Sequence, residues 1–283
     1  MVSKNNELNI SNILEVYKKI PITQKNKSEL YEIYQNFCIN YLKQNYNKKI
    51  RIFNKQIIFP YLKFGNTDIF DLLGTDELLI FLFYNKNKTK YRKVLDIGAN
   101  VGLHSIILSK LGYNVTAFEP DKKHFNILKK NLKLNKIKKI KIYNQAITDK
   151  LGKLKFTRVL GNTTGNHITN LKKKVYGKKV SLNVESINFN SIAKNYDLIK
   201  IDCEGSEKKI FNKLNLNLLK NTDFILEITD NMSRKIVWKK FKQSRFKLFS
   251  QKNEWKVCKK ISDLPCSHSE GSTFISIKNK FKI

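Results

Sequence analysis

The stretch Val94-Leu95-Asp96-Ile97-Gly98-Ala99-Asn100-Val101-Gly102 carries an apolar strand pattern straight into a glycine-spaced turn, and Gly102 to Leu111 continues with helical periodicity. Glycine at 98 permits a tight turn and close approach of backbone to a ligand, and Gly102 lets the helix begin against the strand. The unpaired N–H groups and dipole at that helix's amino terminus suit a carboxylate as well as a phosphate. The next strand pattern, Tyr113 to Phe118, runs into Glu119, 119 − 98 = 21 positions after the first glycine. A carboxylate at that place is positioned to hold the two hydroxyls of a ribose. The dinucleotide pattern G-x-G-x-x-G is absent, because Asn100 stands where its second glycine belongs. An NAD-dependent oxidoreductase would have to tolerate that asparagine, so the turn argues against a pyrophosphate ligand.

Outward from this unit, apolar β-rich runs alternate with helical patterns: Lys93 to Ile97 as strand, Asp121 to Leu134 as helix and Ile140 to Tyr143 as strand. Leu154 to Val159 and Val180 to Val184 follow, separated by a Gly-, Thr-, Asn- and Lys-rich stretch, Gly161 to Lys179, that reads as an exposed excursion. The alternation resumes with Tyr196 to Asp202 as strand, Ser206 to Leu219 as helix and Asp223 to Ile228 as strand, and Phe246 to Phe249 and Phe274 to Ile277 complete a sheet. The expected fold is α/β, a Rossmann-like, mostly parallel sheet with helices on both faces. The first ninety residues differ: Ser28 to Leu42 has helical periodicity and Arg51 to Phe59 alternates like a strand or hairpin. Residues 1–90 are therefore read as an extension serving as cap or lid, and residues 91–283 as the ligand-binding domain.

The formal net charge is +32, and 55 − 5 = 50 of the basic residues are lysine. Positive charge on this scale suits polyanions, but recognition of bases and phosphates exploits the planar arginine fork, which is scarce here. Lysines spread over solvated faces account for most of the charge. The longest apolar run, Leu78 to Tyr84, is far short of a membrane span of about 20 residues and suits a buried element. The amino terminus lacks an apolar signal core, which places the protein in the cytoplasm. Cys38, Cys203, Cys258 and Cys266 form no C-x-x-C pair, so neither a disulfide framework nor a metal site is assigned.

The stretches VLDIGANVGLHS (94–105), VTAFEPDKKHFNILKKNLKLN (115–135), NQAITD (144–149), LIKIDCEGSE (198–207) and FILEI (224–228) together resemble the FkbM family of S-adenosylmethionine-dependent methyltransferases. The resemblance implies a class I methyltransferase sheet with S-adenosyl-L-methionine as cofactor. It further implies that Asp96, Gly98, Asn100 and Gly102 line the cofactor's methionine end, that Glu119 binds ribose and that Ala146 with its neighbours borders adenine. Enzymes resembling this family methylate hydroxyls of sugars, glycolipids and secondary metabolites, so a glycan or small hydroxylated acceptor, as in polysaccharide biosynthesis, is expected. Asn188 stands where many members carry aspartate, and no role is carried over to it.

Transfer of a methyl group from a sulfonium to a hydroxyl is an in-line displacement, so the protein must align the two centres, exclude water and help remove a proton. In the strand Tyr196 to Asp202, Leu198, Lys200 and Asp202 share one face, and Glu204, Glu207 and Glu227 fall close to the carboxyl ends of the central strands. Asp202, Glu204 and Lys200 are the candidates for catalysis or acceptor binding. His104, just after the cofactor turn, is a further candidate base, because an unperturbed imidazole titrates near neutrality; His124, His167 and His268 have weaker cases. The rival readings are an RNA methyltransferase, encouraged by the charge but lacking an N-P-P-Y or D-P-P-Y stretch, and a non-catalytic nucleic-acid-binding protein on the same scaffold.

Overall fold

The computed structural model describes residues 8–9, 48–171 and 177–282, and the helical pattern over Ser28 to Leu42 lies outside the described residues. A small sheet comes first: β1 (Leu8–Asn9) runs parallel to β2 (Lys49–Ile52), which pairs antiparallel with β3 (Lys55–Ile58). Phe53 and Asn54 between β2 and β3 both have positive φ, as a two-residue turn matched to strand twist requires. Helix α1 (Thr75–Lys86) follows. Every residue from Leu78 to Tyr84 is buried, so this helix is apolar all round and shows no amphipathic period in the sequence.

The main sheet is built from β4 (Lys93–Ile97), β5 (Asn114–Phe118), β6 (Ile140–Tyr143), β11 (Leu198–Ile201), β12 (Asp223–Glu227), β13 (Lys247–Ser250) and β14 (Ser272–Ser276), in the order β13-β14-β12-β11-β4-β5-β6. Neighbours from β12 to β6 are parallel, whereas β14 is antiparallel to both β12 and β13. The sheet is therefore mixed, which corrects the expectation of a mostly parallel one at this edge. The chain between β13 and β14 holds only three-residue 3-10 turns and no crossover helix to carry it back for a parallel return.

Alternate side chains of the central strands feed two apolar cores. Val94, Val115, Leu198 and Ile225 pack with α1, with α2 (Leu103–Lys110) and with α3 (Lys122–Leu134). Leu95, Ile199, Phe224 and Leu226 pack on the other face against α4 (Phe189–Ile192), α5 (Glu207–Lys213) and α6 (Asn231–Phe241). The helix expected over Ser206 to Leu219 is shorter than read: it ends at Lys213, and Asn215 caps a separate 3-10 turn at Leu216–Leu218. Asn188 caps α4 by accepting the N–H of Asn190 at 2.8 Å.

A second sheet stands at the carboxyl end of β6, with β7 (Ala146–Thr148), β8 (Gly152–Val159), β9 (His167–Ile168) and β10 (Lys179–Asn188) in the order β7-β10-β8-β9. The segment after β8 is not an exposed excursion throughout. His167 and Ile168 are buried as β9, and the turn before them is tied to the N-terminal region by Asn66 N–H to the Gly161 carbonyl (2.8 Å) and Thr163 N–H to the Phe64 carbonyl (2.9 Å). Among the described residues, no helix is long and apolar enough to cross a membrane.

Candidate active site

Two cavities open at the carboxyl ends of the central strands. The first, with about 580 Å³ of space open to solvent, is lined by Gly98 and Asn100 after β4, Phe118 at the end of β5 and Glu119 after it, Gln145 to Ile147 at β7, and Asp202 and Glu204 after β11. Its outer wall is Thr163, Thr164, Asn166 and Ile168, with His124 from α3. That wall is held by a bidentate pair from Arg158 to Asp121, with Nη2 donating to Oδ1 at 2.7 Å, and by Asn166 Nδ2 donating to Asp121 at 3.0 Å. Asp121 also caps α3 through the N–H groups of Lys123 and His124.

Gly98 has φ +78°, and a Cβ there would lie 1.8 Å from the Asp202 carbonyl oxygen. The glycine is thus required where the β4 and β11 loops cross, a tighter reason than approach to a ligand. Gly102, at φ +94°, turns into α2 where a Cβ would meet Leu128 of α3. Asn100 and Glu204 have positive φ without being glycine, backbone strain of the kind that gathers at functional loops.

The buried Glu119 accepts the N–H of Asn100 on Oε2 (2.9 Å) and of Asp121 on Oε1 (2.7 Å). Burial pushes its carboxyl up to about 8 against the pull of those two hydrogen bonds. When the carboxyl is ionised, each oxygen keeps a further acceptor position. Asn100 Oδ1 is buried with no hydrogen-bond partner. The cleft therefore presents acceptors to a ligand rich in donors, which fits the ribose diol and the ammonium of S-adenosylmethionine. Asp96 and Gly102 do not line it. Asp96 is fully buried, takes the Ser105 hydroxyl at 2.6 Å and lies 3.7 Å from Lys200 Nζ, so it braces the start of α2 beneath the turn.

The second cavity, with about 730 Å³ of space, is walled by Asp71, Asp76 and Glu77 ahead of and within α1, by His104 of α2, by Lys200 and Asp202, and by Glu227 and His268. Asp202 belongs to both cavities. Lys200 Nζ donates to Asp202 at 3.2 Å. Burial disfavours the Lys200 charge, but Asp202, Asp96 and Glu77 outweigh it and raise the ammonium well above its ordinary range. Burial likewise opposes the Asp202 carboxylate, yet Lys200 and a hydrogen bond with Glu227 bring it down to about 2. Burial and the neighbouring Asp202 charge push Glu227 well up, so that pair shares one proton. Glu207 fixes the turn that follows Asp202: its carboxyl group accepts the N–H groups of Cys203 (3.0 Å) and Gly205 (2.6 Å).

Of the residues singled out in the sequence, Gly98, Asn100, Glu119, Ala146 and Glu204 face the first cavity, His104 and Lys200 the second, and Asp202 both. Sequence reasoning missed Asp71, Asp76 and Glu77, which come from the region read as an extension. The signal was Thr75-Asp76-Glu77 before an apolar run, a helix-start pattern.

The strand ends of this seven-stranded α/β sheet thus carry a glycine turn, a buried acid and an adjoining polar cavity. The chain belongs to the FkbM methyltransferase family: the family's methyltransferase FkbM domain matches residues 96–253. A curated relative, the ribosomal protein L11 methyltransferase of Acetivibrio thermocellus, is 35% identical over 97 residues, 33% of this chain and 31% of that protein. The chain thus spans about a third of the length of that relative. Similar solved structures include a ribosomal protein L11 methylase from Lactobacillus delbrueckii subsp. bulgaricus (17% identity, TM-score 0.41, covering 71% of this chain and 78% of that one). Another is the Pyrococcus abyssi tRNA (uracil-54, C5)-methyltransferase in complex with S-adenosyl-L-homocysteine (12% identity, TM-score 0.40, covering 81% and 43%).

Proposed function

We propose that the protein is an S-adenosylmethionine-dependent O-methyltransferase acting on a hydroxyl of a glycan or a related neutral, hydroxyl-rich molecule. The observation that carries this reading is the junction at Asp202, where a cleft suited to a nucleoside cofactor meets a separate cavity lined by carboxylates and imidazoles. When bound, S-adenosylmethionine supplies an activated methyl group on a sulfonium. Asn100 and Glu119 hold its amino-acid and ribose ends, and Gln145, Ala146 and Ile147 border the adenine. Carboxylates accept hydrogen bonds from sugar hydroxyls and repel phosphates, so the second cavity favours a neutral acceptor over a nucleic-acid strand. The region of residues 1–90 acts as a cap, contributing Asp71, Asp76 and Glu77 to the acceptor wall. The test is methyl transfer from labelled S-adenosylmethionine to neutral oligosaccharides and, in parallel, to tRNA and ribosomal protein. Label in the oligosaccharides supports the reading; label confined to RNA or protein overturns it.

A further inference from the structure

Methylation of a hydroxyl requires a group that takes its proton, and three polar groups of the second cavity are unsuited to it. Lys200 is an ammonium that donates to Asp202 at 3.2 Å, and Asp202 and Glu227 share one proton, so each is engaged with another group of the cavity wall. His104 is committed within the protein: its Nε2 lies 2.7 Å from Glu77 and its Nδ1 3.0 Å from the Tyr84 hydroxyl, which burial keeps protonated.

His268 differs. It sits on the 3-10 turn His268–Glu270 that leads into β14, with its side chain 49% exposed. Glu270 anchors this turn by accepting the N–H of Cys266 and the ammonium of Lys252, both at 2.6 Å. His268 Nδ1 is 2.8 Å from Glu227 Oε1, and Nε2 is 3.6 Å from Glu204 Oε2. Since His268 lines the acceptor cavity and Glu204 lines the cofactor cleft, the imidazole stands at the boundary between them.

We propose that His268 is the general base of methyl transfer, its Nε2 taking the acceptor hydroxyl's proton while Glu227 orients the ring through Nδ1. The inference rests on the reading of the second cavity as the acceptor pocket. The hydroxyl oxygen forms the new C–O bond as the S–CH3 bond breaks, sulfur keeps the electron pair, and the proton moves to Nε2 and then to solvent from the exposed ring edge. In this arrangement Glu227 accepts the Nδ1 proton on Oε1, which leaves Nε2 as the lone-pair nitrogen. The titratable groups facing the ring include Glu204 and Asp202 from the turn after β11 and Glu227 from β12, with Lys200 beside Asp202; Glu204 and Asp202 stabilise the imidazolium as it forms. Glu270 on its own turn is committed to Lys252 and the Cys266 backbone.

Three measurements on the full chain test this. Nitrogen-15 imidazole spectra of wild type and H268Q assign the His268 signal by its loss. Calorimetry with S-adenosylhomocysteine checks the cofactor site, and release of S-adenosylhomocysteine with a panel of neutral methyl glycosides is followed against pH. The expected results are an Nδ1–H tautomer at pH 8, S-adenosylhomocysteine affinity in H268Q within about threefold of wild type, and turnover reduced about 100-fold or more, the usual range for loss of a general base. The acid limb of the pH profile is lost in H268Q, and added imidazole partly restores H268A. Turnover in H268Q within about threefold of wild type, or an unchanged acid limb, overturns the proposal. If wild type transfers to none of the glycosides, the acceptor class fails separately, and the tautomer decides: Nε2–H, or an imidazolium persisting at pH 8, overturns the base assignment.

Discussion

On the proposed reading, Glu119 couples cofactor recognition to pH through one side chain. A ribose diol donates hydrogen bonds, so binding favours the ionised carboxylate, whose titration in the folded protein is raised to about 8. Affinity for 5′-methylthioadenosine, which carries the ribose but no titrating amine, is expected to rise about tenfold from pH 7 to pH 9 and then level off, since the ionised fraction grows by that factor. Glu119→Gln should bind weakly and without this slope; a flat wild-type profile contradicts the assignment. The sign for folding is opposite. A carboxyl raised above its ordinary value of 4.5 favours the folded state while protonated, and that contribution is lost as pH climbs from about 4.5 through 8. At Gly98 the constraint is steric. Gly98→Ala forces a Cβ against the Asp202 carbonyl at positive φ and should cost about 3 kcal/mol in urea unfolding. Gly102→Ala, opposed by a movable Leu128 methyl, should cost less.

At the scale of elements, the sequence displayed some parts openly and hid others for physical reasons. The β4–α2–β5–α3 unit was legible because each piece has its own period and its own stop: Lys93–Ile97 and Ile140–Tyr143 match the reading residue for residue, and Asp121 marks the start of α3. Helix α1 was legible only as a buried run, because a helix covered on all sides has no polar face to set a period. The second sheet was half legible. Strand β10 extends past Val184 because Ser186 to Asn188 find partners in Ala146 to Thr148, a pairing no local pattern announces. For the site, the cofactor-side residues follow from a contiguous motif, whereas the second cavity joins acids from α1, β11 and β12, distant in sequence. Two substitutions probe these elements. Phe83→Ala in α1, whose ring lies 5.2 Å from Phe274 and 4.8 Å from Phe281, should lose about 3–5 kcal/mol, measured by denaturant melts. Arg158→Met leaves the buried Asp121 charge without its counter-ion and should lose about 3–5 kcal/mol, while adding Asp121→Asn, which keeps the helix cap, recovers part of it.

Across the whole molecule, charge is sorted. The chain carries +32, yet five of its 23 acids, Asp71, Asp76, Glu77, Asp202 and Glu227, line the second cavity. Polyanions are accordingly expected to associate with the lysine-rich exterior, in a manner that weakens steeply with added salt, without displacing S-adenosylhomocysteine. Competition between tRNA and the cofactor product at low salt checks this separation. The central claim is that the cleft framed by Gly98, Asn100 and Glu119 binds S-adenosylmethionine, and calorimetry tests it most directly. S-adenosylmethionine and S-adenosylhomocysteine should bind the folded wild-type protein with micromolar affinity, NAD should not bind, and Glu119→Ala should abolish the signal while remaining folded. Absence of binding by either compound to folded wild-type protein, or undiminished binding by Glu119→Ala, would contradict it.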